Sequence, residues 1–330
     1  MVAFPAVSAS LPIPTLSTVL AGVCPGRAIE GISAVLMPFD DAGRPDFSGF
    51  AGQIERVSGA GLTPAVNMDT GWVHRLRADE RLEALDTARR VLGEKRFVAG
   101  AYVEDGDGPM RGRYRRAIEA IVSRGGTPIL FPCTELQAAS GATVVSLFRE
   151  MSAGTPGILA FELGQDFVPF GRIFDLDTIR GLLDVEGVLG LKHSSLRRDL
   201  EWQRLALRNE RRPGFKVYTG NDLAIDMVMY GSDYLLGLSA FAPEAFALRD
   251  RYWRQGDARF HGVNDLLQYL GAFAFRAPTP AYRHSAAQFL KITGHLTHAA
   301  GPADAPRRPD SDIAVLADIA RRLDVLVAEG

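Results

Sequence analysis

Lys192 ends the apolar run Val188-Leu189-Gly190-Leu191 and is followed by His193-Ser194-Ser195. That pattern places an amine at the C-terminal tip of a buried parallel strand. An amine there is poorly hydrated, so its pKa falls and it becomes a nucleophile toward carbonyl carbon. The composition sharpens the point: of 37 basic residues, only Lys95, Lys192, Lys216 and Lys291 are lysine. Arginine can replace a lysine needed for charge, but a permanently charged guanidinium cannot replace one that must form an imine. A bias toward arginine acting alone would leave the same four lysines, so composition by itself leaves both readings open.

The elements that must position Lys192 recur along the chain. Short runs rich in Val, Ile, Leu and Ala lie at Ile32 to Met37, Leu62 to Asn67, Phe97 to Tyr102, Thr127 to Pro132, Gly157 to Glu162, Val188 to Lys192, Lys216 to Thr219 and Tyr234 to Ser239. The first six begin about 30 to 35 residues apart, with helical patterns such as Asp79 to Leu92, Arg111 to Arg124 and Thr178 to Leu183 between them. Asn221 to Tyr230 is the helix expected between the last two. Eight alternating units close most naturally into a TIM (β/α)8 barrel. From Pro243 the chain reads as helices over Pro243 to Arg254, Asp257 to Phe275, Ala281 to Ile292 and Ser311 to Val327. The predicted organisation is an N-terminal arm over 1–28, a barrel over 29–256 and a C-terminal helical appendage over 257–330.

In such a barrel the site is built from strand C-termini and the loops that follow. The ends offer Asp69 and Thr70 after strand two, Phe161 and Glu162 on strand five, Lys192 on strand six, and Gly220, Asn221 and Asp222 after strand seven. Each has an ordinary alternative: Thr-Gly is a common turn, Asp222 can cap a helix, and Glu162 can pair with an arginine.

The remaining composition excludes other classes. Hydrophobic residues at 47% and charged residues at 23% describe a globular chain. A net charge of −2 without a basic block gives no footprint for nucleic acid. Cys24 and Cys133 fit neither a disulfide framework nor a zinc site, so no metal is expected and a reducing cytoplasm is the default. The uncharged start, Met1 to Gly26, lacks a basic n-region and is broken by Pro5, Pro12 and Pro14, which disfavours an export signal. No later apolar run reaches membrane-spanning length, so no membrane partner is expected.

Several short motifs, in order, resemble the dihydrodipicolinate synthase and N-acetylneuraminate lyase family of class I, Schiff-base aldolases, over roughly residues 30 to 328. Gly31-Ile32 through Met37-Pro38-Phe39 is similar to the family's opening strand. Asp69-Thr70-Gly71-Trp72 sits where the family has T-T-G-E, Gly190-Leu191-Lys192 looks like its G-[IV]-K, and Thr219-Gly220-Asn221-Asp222 looks like its S-G-D-D or G-N-D loop. The resemblance implies that Lys192 forms the Schiff base, that no cofactor is needed, and that the protein is a homo-oligomer, commonly a tetramer made from dimers.

The departures from that family bear on function. Its members use a strand-five tyrosine to move protons at the substrate, and many add another after strand four. This chain has no tyrosine between Tyr114 and Tyr218; Phe161 or Asp166 takes the strand-five place, and Phe131-Pro132-Cys133-Thr134-Glu135 follows strand four. The carboxylate cradle, built on two threonines in the family, begins here with Asp69. An ionised aspartate about 4 Å from a substrate carboxylate would cost about 4 kcal/mol at an effective dielectric near 20. So Asp69 points away, or is a protonated acid replacing the absent tyrosine, or the substrate carries no carboxylate there.

The sequence therefore predicts a Schiff-base lyase, aldolase or dehydratase, acting on a small oxo acid or sugar-derived carbonyl compound, and not a standard dihydrodipicolinate synthase. Lys192 is the nucleophile and Asp69 and Glu162 the acid/base candidates. Thr70 would hold acceptor oxygens, Arg172 would meet a distal anionic group, and Asn221 and Asp222 would bind hydroxyls. The rivals are a family scaffold that only binds or regulates, and a barrel hydrolase using Asp69 and Glu162.

Overall fold

The computed structural model describes residues 15–330, so the first fourteen residues of the expected arm, and the question of an export signal there, lie outside the described residues. Eight parallel strands close into one barrel in sequence order. They are β1 (Gly31–Ala34), β2 (Thr63–Val66), β3 (Val98–Ala101), β4 (Thr127–Leu130), β5 (Ile158–Leu163), β6 (Val188–Ser194), β7 (Lys216–Thr219) and β8 (Asp233–Leu236). β8 returns to β1 with Ile32 opposite Leu235, which leaves no sheet edge. All eight apolar runs of the sequence are strands.

Alternation along each strand builds two apolar layers. Ile32, Ala65, Val98, Ile129, Leu159, Phe161 and Leu235 fill the barrel interior. Their neighbours, such as Ile158, Ala160, Val188 and Val217, face the surrounding helices. The described helices are α1 (Leu16–Ala21), α2 (Phe47–Gly59), α3 (Ala78–Leu92), α4 (Met110–Val122), α5 (Thr134–Ala138), α6 (Gly141–Ser152), α7 (Leu176–Leu183), α8 (Arg198–Arg211), α9 (Pro243–Gln255), α10 (Arg259–Ala274), α11 (Tyr282–Ile292) and α12 (Asp312–Glu329). Among the described residues no helix is long and apolar enough to cross a membrane.

The helix expected over Asn221 to Tyr230 is only a 3-10 helix over Ile225–Tyr230. Its first residues are spent on other contacts. The Asn221 side chain accepts from Leu223 N–H at 3.0 Å, and the Asp222 carboxylate reaches across to Leu238 N–H at 2.7 Å instead of capping its own helix. Beyond the barrel, α10 packs on α9, and α12 packs on α9, α10 and α11. The breaker Pro278-Thr279-Pro280 forces α11 to start at Tyr282, which aims its first turn at strand two's C-terminal loop.

Candidate active site

Lys192 is 6% exposed and projects into the barrel, its Nζ 4.4 Å from the centre of the Phe161 ring. Register explains the contact, because Phe161, Lys192 and Tyr218 are aligned across β5, β6 and β7 and point the same way. Burial drives the lysine pKa down to about 8, against the pull of the Asp222 and Asp69 charges. Among the described residues no side chain pairs directly with this amine. Burial raises Asp222 to about 7, with the Lys192 charge opposing. Burial thus pushes both Lys192 and Asp222 toward their neutral forms, and the charge of each opposes the shift of the other.

Gly220 makes room for the lysine stem. A Cβ there would lie 2.8 Å from Lys192 Cε and 2.0 Å from Ser194 Oγ. Gly220→Ala should therefore displace Lys192 and slow covalent capture of a carbonyl compound by at least about tenfold, since misplacement by about 1 Å can cost a hundredfold. Capture at the parental rate would show that the stem has slack.

The second cluster is built around Asp69, buried at the end of β2. Its carboxylate forms an ion pair with Arg283, whose Nε also donates to the Asp69 carbonyl at 2.8 Å. The guanidinium lies over the Trp72 ring, 4.5 Å from its centre. The Tyr282 hydroxyl is 3.1 Å from Asp69 Oδ2 and 2.9 Å from Thr70 Oγ1. A phenol has one proton, so it donates to the carboxylate and accepts from the threonine. The ring stacks on Phe275 at 4.2 Å. Burial, with the Asp69 charge beside it, raises the phenol pKa well above its usual value. Asp69 is not an isolated anion; it is charge-paired with Arg283. The repulsion expected against a substrate carboxylate is correspondingly offset by Arg283.

Three expected site residues take other roles. Glu162 alternates with Phe161, so it points to the helical layer and not toward Lys192. It is fully buried there, bound by Arg204 at 2.8 and 3.1 Å, by His193 Nδ1 at 2.6 Å and by Phe174 N–H at 2.7 Å. Burial favours its neutral form, but the Arg204 and His193 partners outweigh that and hold its pKa at about 2. It cannot work together with Asp69 on one substrate, which removes the hydrolase arrangement of that pair. Arg172 spends its guanidinium on the carbonyls of Leu136 and Gln137, at 3.0 and 3.2 Å, closing the end of α5. Asn221 is occupied by the turn to Leu223. Phe161, Thr70, Gly220 and Asp222 do gather around Lys192 and Asp69.

Sequence reasoning passed over Tyr282 and Arg283. They lie more than two hundred residues from Asp69, and the local signal was only a proline breaker before a helix. Tyr102, the last residue of the apolar run Phe97 to Tyr102, lies just past β3 and is half-buried against Phe131 with its pKa raised to about 12, by burial and then Asp105. Glu104, Cys133 and Glu135 lie close enough to hold an ion. Their carboxylates are already engaged, by Thr134 and by Arg113. A cavity of about 420 Å³ between α1, α7 and α8, lined by Trp202 and Tyr230, contains no residue of the Lys192 cluster.

No family profile matches the chain, and no curated protein matches it in sequence. Solved structures match it in fold. Dihydrodipicolinate synthase from Thermotoga maritima is 16% identical with a TM-score of 0.77, over 91% of this chain and 100% of its own. Sialic acid aldolase from Ruminococcus gnavus, an enzyme with a catalytic lysine, is 14% identical with a TM-score of 0.77, over 91% of this chain and 99% of its own. A prophage protein of the dihydrodipicolinic acid synthase family from E. coli K12, determined in complex with pyruvate, is 17% identical with a TM-score of 0.76, over 89% of this chain and 98% of its own. The chain has the eight-stranded barrel fold of dihydrodipicolinate synthases and sialic acid aldolases, with the helical C-terminus packed against it.

Proposed function

We propose that this protein is a lyase that forms a Schiff base between Lys192 and a small carbonyl compound, an oxo acid or a sugar-derived aldehyde or ketone. The observation that carries this reading is the buried, unpaired amine at the C-terminal mouth of the barrel, with its pKa lowered to about 8. The neutral amine adds to the carbonyl carbon, water leaves, and the iminium draws electrons from the adjacent C–C or C–H bond. In this reading Asp222, whose charge acts on the amine, exchanges protons with it, and the hydrogen-bonded Thr70–Tyr282–Asp69 chain serves as a hydroxyl relay. Because Asp69 is neutralised by Arg283, an oxo acid is an acceptable substrate class. The pyruvate complex of the E. coli protein and the sialic acid aldolase support the same class. A homo-oligomer working in the cytoplasm belongs to this reading.

Borohydride reduction in the presence of pyruvate and a panel of sugar-derived aldehydes and ketones tests it. One reduced adduct per chain is expected by intact mass. Its rate of formation should climb with pH as Lys192 loses its proton and level off above about 8. An ordinary lysine would keep gaining up to about 10.4. Absence of any adduct across the panel, or a rate still rising past that value, would count against the proposal.

A further inference from the structure

The outward face of β5 and β6, which the Lys192 chemistry does not use, carries a second set of reactive groups. Ser195 Oγ lies 2.6 Å from His193 Nε2, and His193 Nδ1 lies 2.6 Å from Glu162 Oε2. Nucleophile, base and orienting carboxylate are thus joined in the order that serine hydrolysis requires, on a fold where such a triad is recognised by geometry alone. The Glu162 carboxylate is itself fixed by Arg204 and Phe174 N–H. An ionised carboxylate at Nδ1 requires the proton on that nitrogen, which leaves Nε2 as the acceptor. The serine has one proton and two candidate acceptors. Nε2 is at 2.6 Å and the Arg197 carbonyl at 3.2 Å, so the imidazole takes it.

The turn after β6 completes the arrangement. Leu196 adopts a left-handed conformation with φ 56, and Ser195, just past the strand end, is half-buried and within reach of solvent. Among the described residues, neither the Ser195 nor the Leu196 backbone N–H has an acceptor. Two adjacent free amides beside a nucleophile are donors of the kind that hold an oxyanion. The charges around the turn cancel, Arg197 pairing with Asp199 and Arg198 with Asp226. A neutral acyl group suits that rim better than an anionic one.

We infer that Ser195, His193 and Glu162 form an acyl-transfer site, separate from Lys192, that takes small uncharged carboxylic esters. Ser195 Oγ bonds to the ester carbonyl carbon while its proton passes to His193 Nε2. The C–O bond to the alcohol then breaks and the alcohol leaves with that proton, so the acyl group is left on Ser195. Water attacks the acyl-serine, its proton passing through His193 back to Oγ, and the carboxylic acid departs. Ester and water become acid and alcohol with no other reactant.

A fluorophosphonate, which loses fluoride to a reactive serine, tests the assignment on the full-length protein. One adduct is expected, mapping to Ser195 and absent in Ser195→Ala, and prior borohydride capture of a ketone at Lys192 should leave it in place. His193→Gln should slow labelling by about 10² to 10⁴. His193 is buried, so a second variant guards against misfolding. The thiol introduced by Ser195→Cys, if paired with the imidazole, should react with iodoacetamide near pH 7 at least about tenfold faster than the exposed Cys24 of the same chain. Failure to label Ser195, labelling indifferent to His193→Gln in a folded variant, or a thiol no faster than Cys24 would each overturn the inference.

Discussion

Lys192→Arg should abolish covalent capture of carbonyl compounds altogether. The substitution retains a positive charge next to Asp222 and Asp69, the two anions that face the amine, so the electrostatics of the mouth stay balanced. It removes the lone pair. A guanidinium does not deprotonate under assay conditions, whereas the Lys192 amine, lowered to about 8, has an appreciable neutral fraction near physiological pH. The measurement is intact mass after borohydride reduction of wild type and variant with the best substrate of the panel. The arginine stem must share the space beside Gly220 and Phe161, so circular dichroism of the variant should accompany the result. An adduct of equal yield in a folded Lys192→Arg protein would move the nucleophile to another of the lysines. Lys95 and Lys216 are poor substitutes: Lys95 reaches Ser58 on the outside and Lys216 is paired with Asp233 and Glu30.

The barrel was legible because its signals are local. Every strand is a short apolar run with turn residues at its ends, and parallel strands buried on both faces read as near-continuous hydrophobic segments. The one helix that shrank, between β7 and β8, did so because Asn221 and Asp222 form tertiary and turn contacts that propensity does not register. Lys192 was legible for the same reason as the strands, as a charged residue at the end of an apolar run.

The rest of the site was harder to read, for two distinct physical reasons. Glu162 and Phe161 differ by one position, and in a strand one position decides between the barrel interior and the helical layer. Lys192 itself sets the phase: its neighbours across β5 and β6 are Phe161 opposite Lys192 and Glu162 opposite His193. With that register an inward lysine goes with an outward glutamate, but the register between the two runs is not written in either of them. Arg283 and Tyr282 illustrate the other reason. Nothing in the sequence near Asp69 announces a guanidinium supplied from a helix at the far end of the chain. The electrostatic penalty assigned to Asp69 was sound for an isolated anion, and the pairing cation was the missing quantity.

The same pair revises the expectation about proton transfer. With no tyrosine on β4 or β5, the sequence predicts that carboxyl groups alone move protons at the iminium. The structure brings a phenol from α11 to the Asp69 cluster, hydrogen-bonded to both Thr70 and Asp69, and under the proposed mechanism it joins them in moving protons. Tyr282→Phe should accordingly lower turnover of the best substrate by about 10² to 10⁴, the usual loss when a positioned acid or base is removed. Packing is spared, since the ring still stacks on Phe275 and Asp69 keeps its Arg283 partner. Capture at Lys192 requires the neutral amine more than the relay, so borohydride trapping should still reach full yield in the variant. The separation of the two readouts is the informative result. Loss of trapping together with turnover would make Tyr282 a structural support of the mouth. Unchanged turnover would pass the proton transfers to Asp222, the remaining group with a pKa near neutrality, and Asp222→Asn would then carry the larger effect.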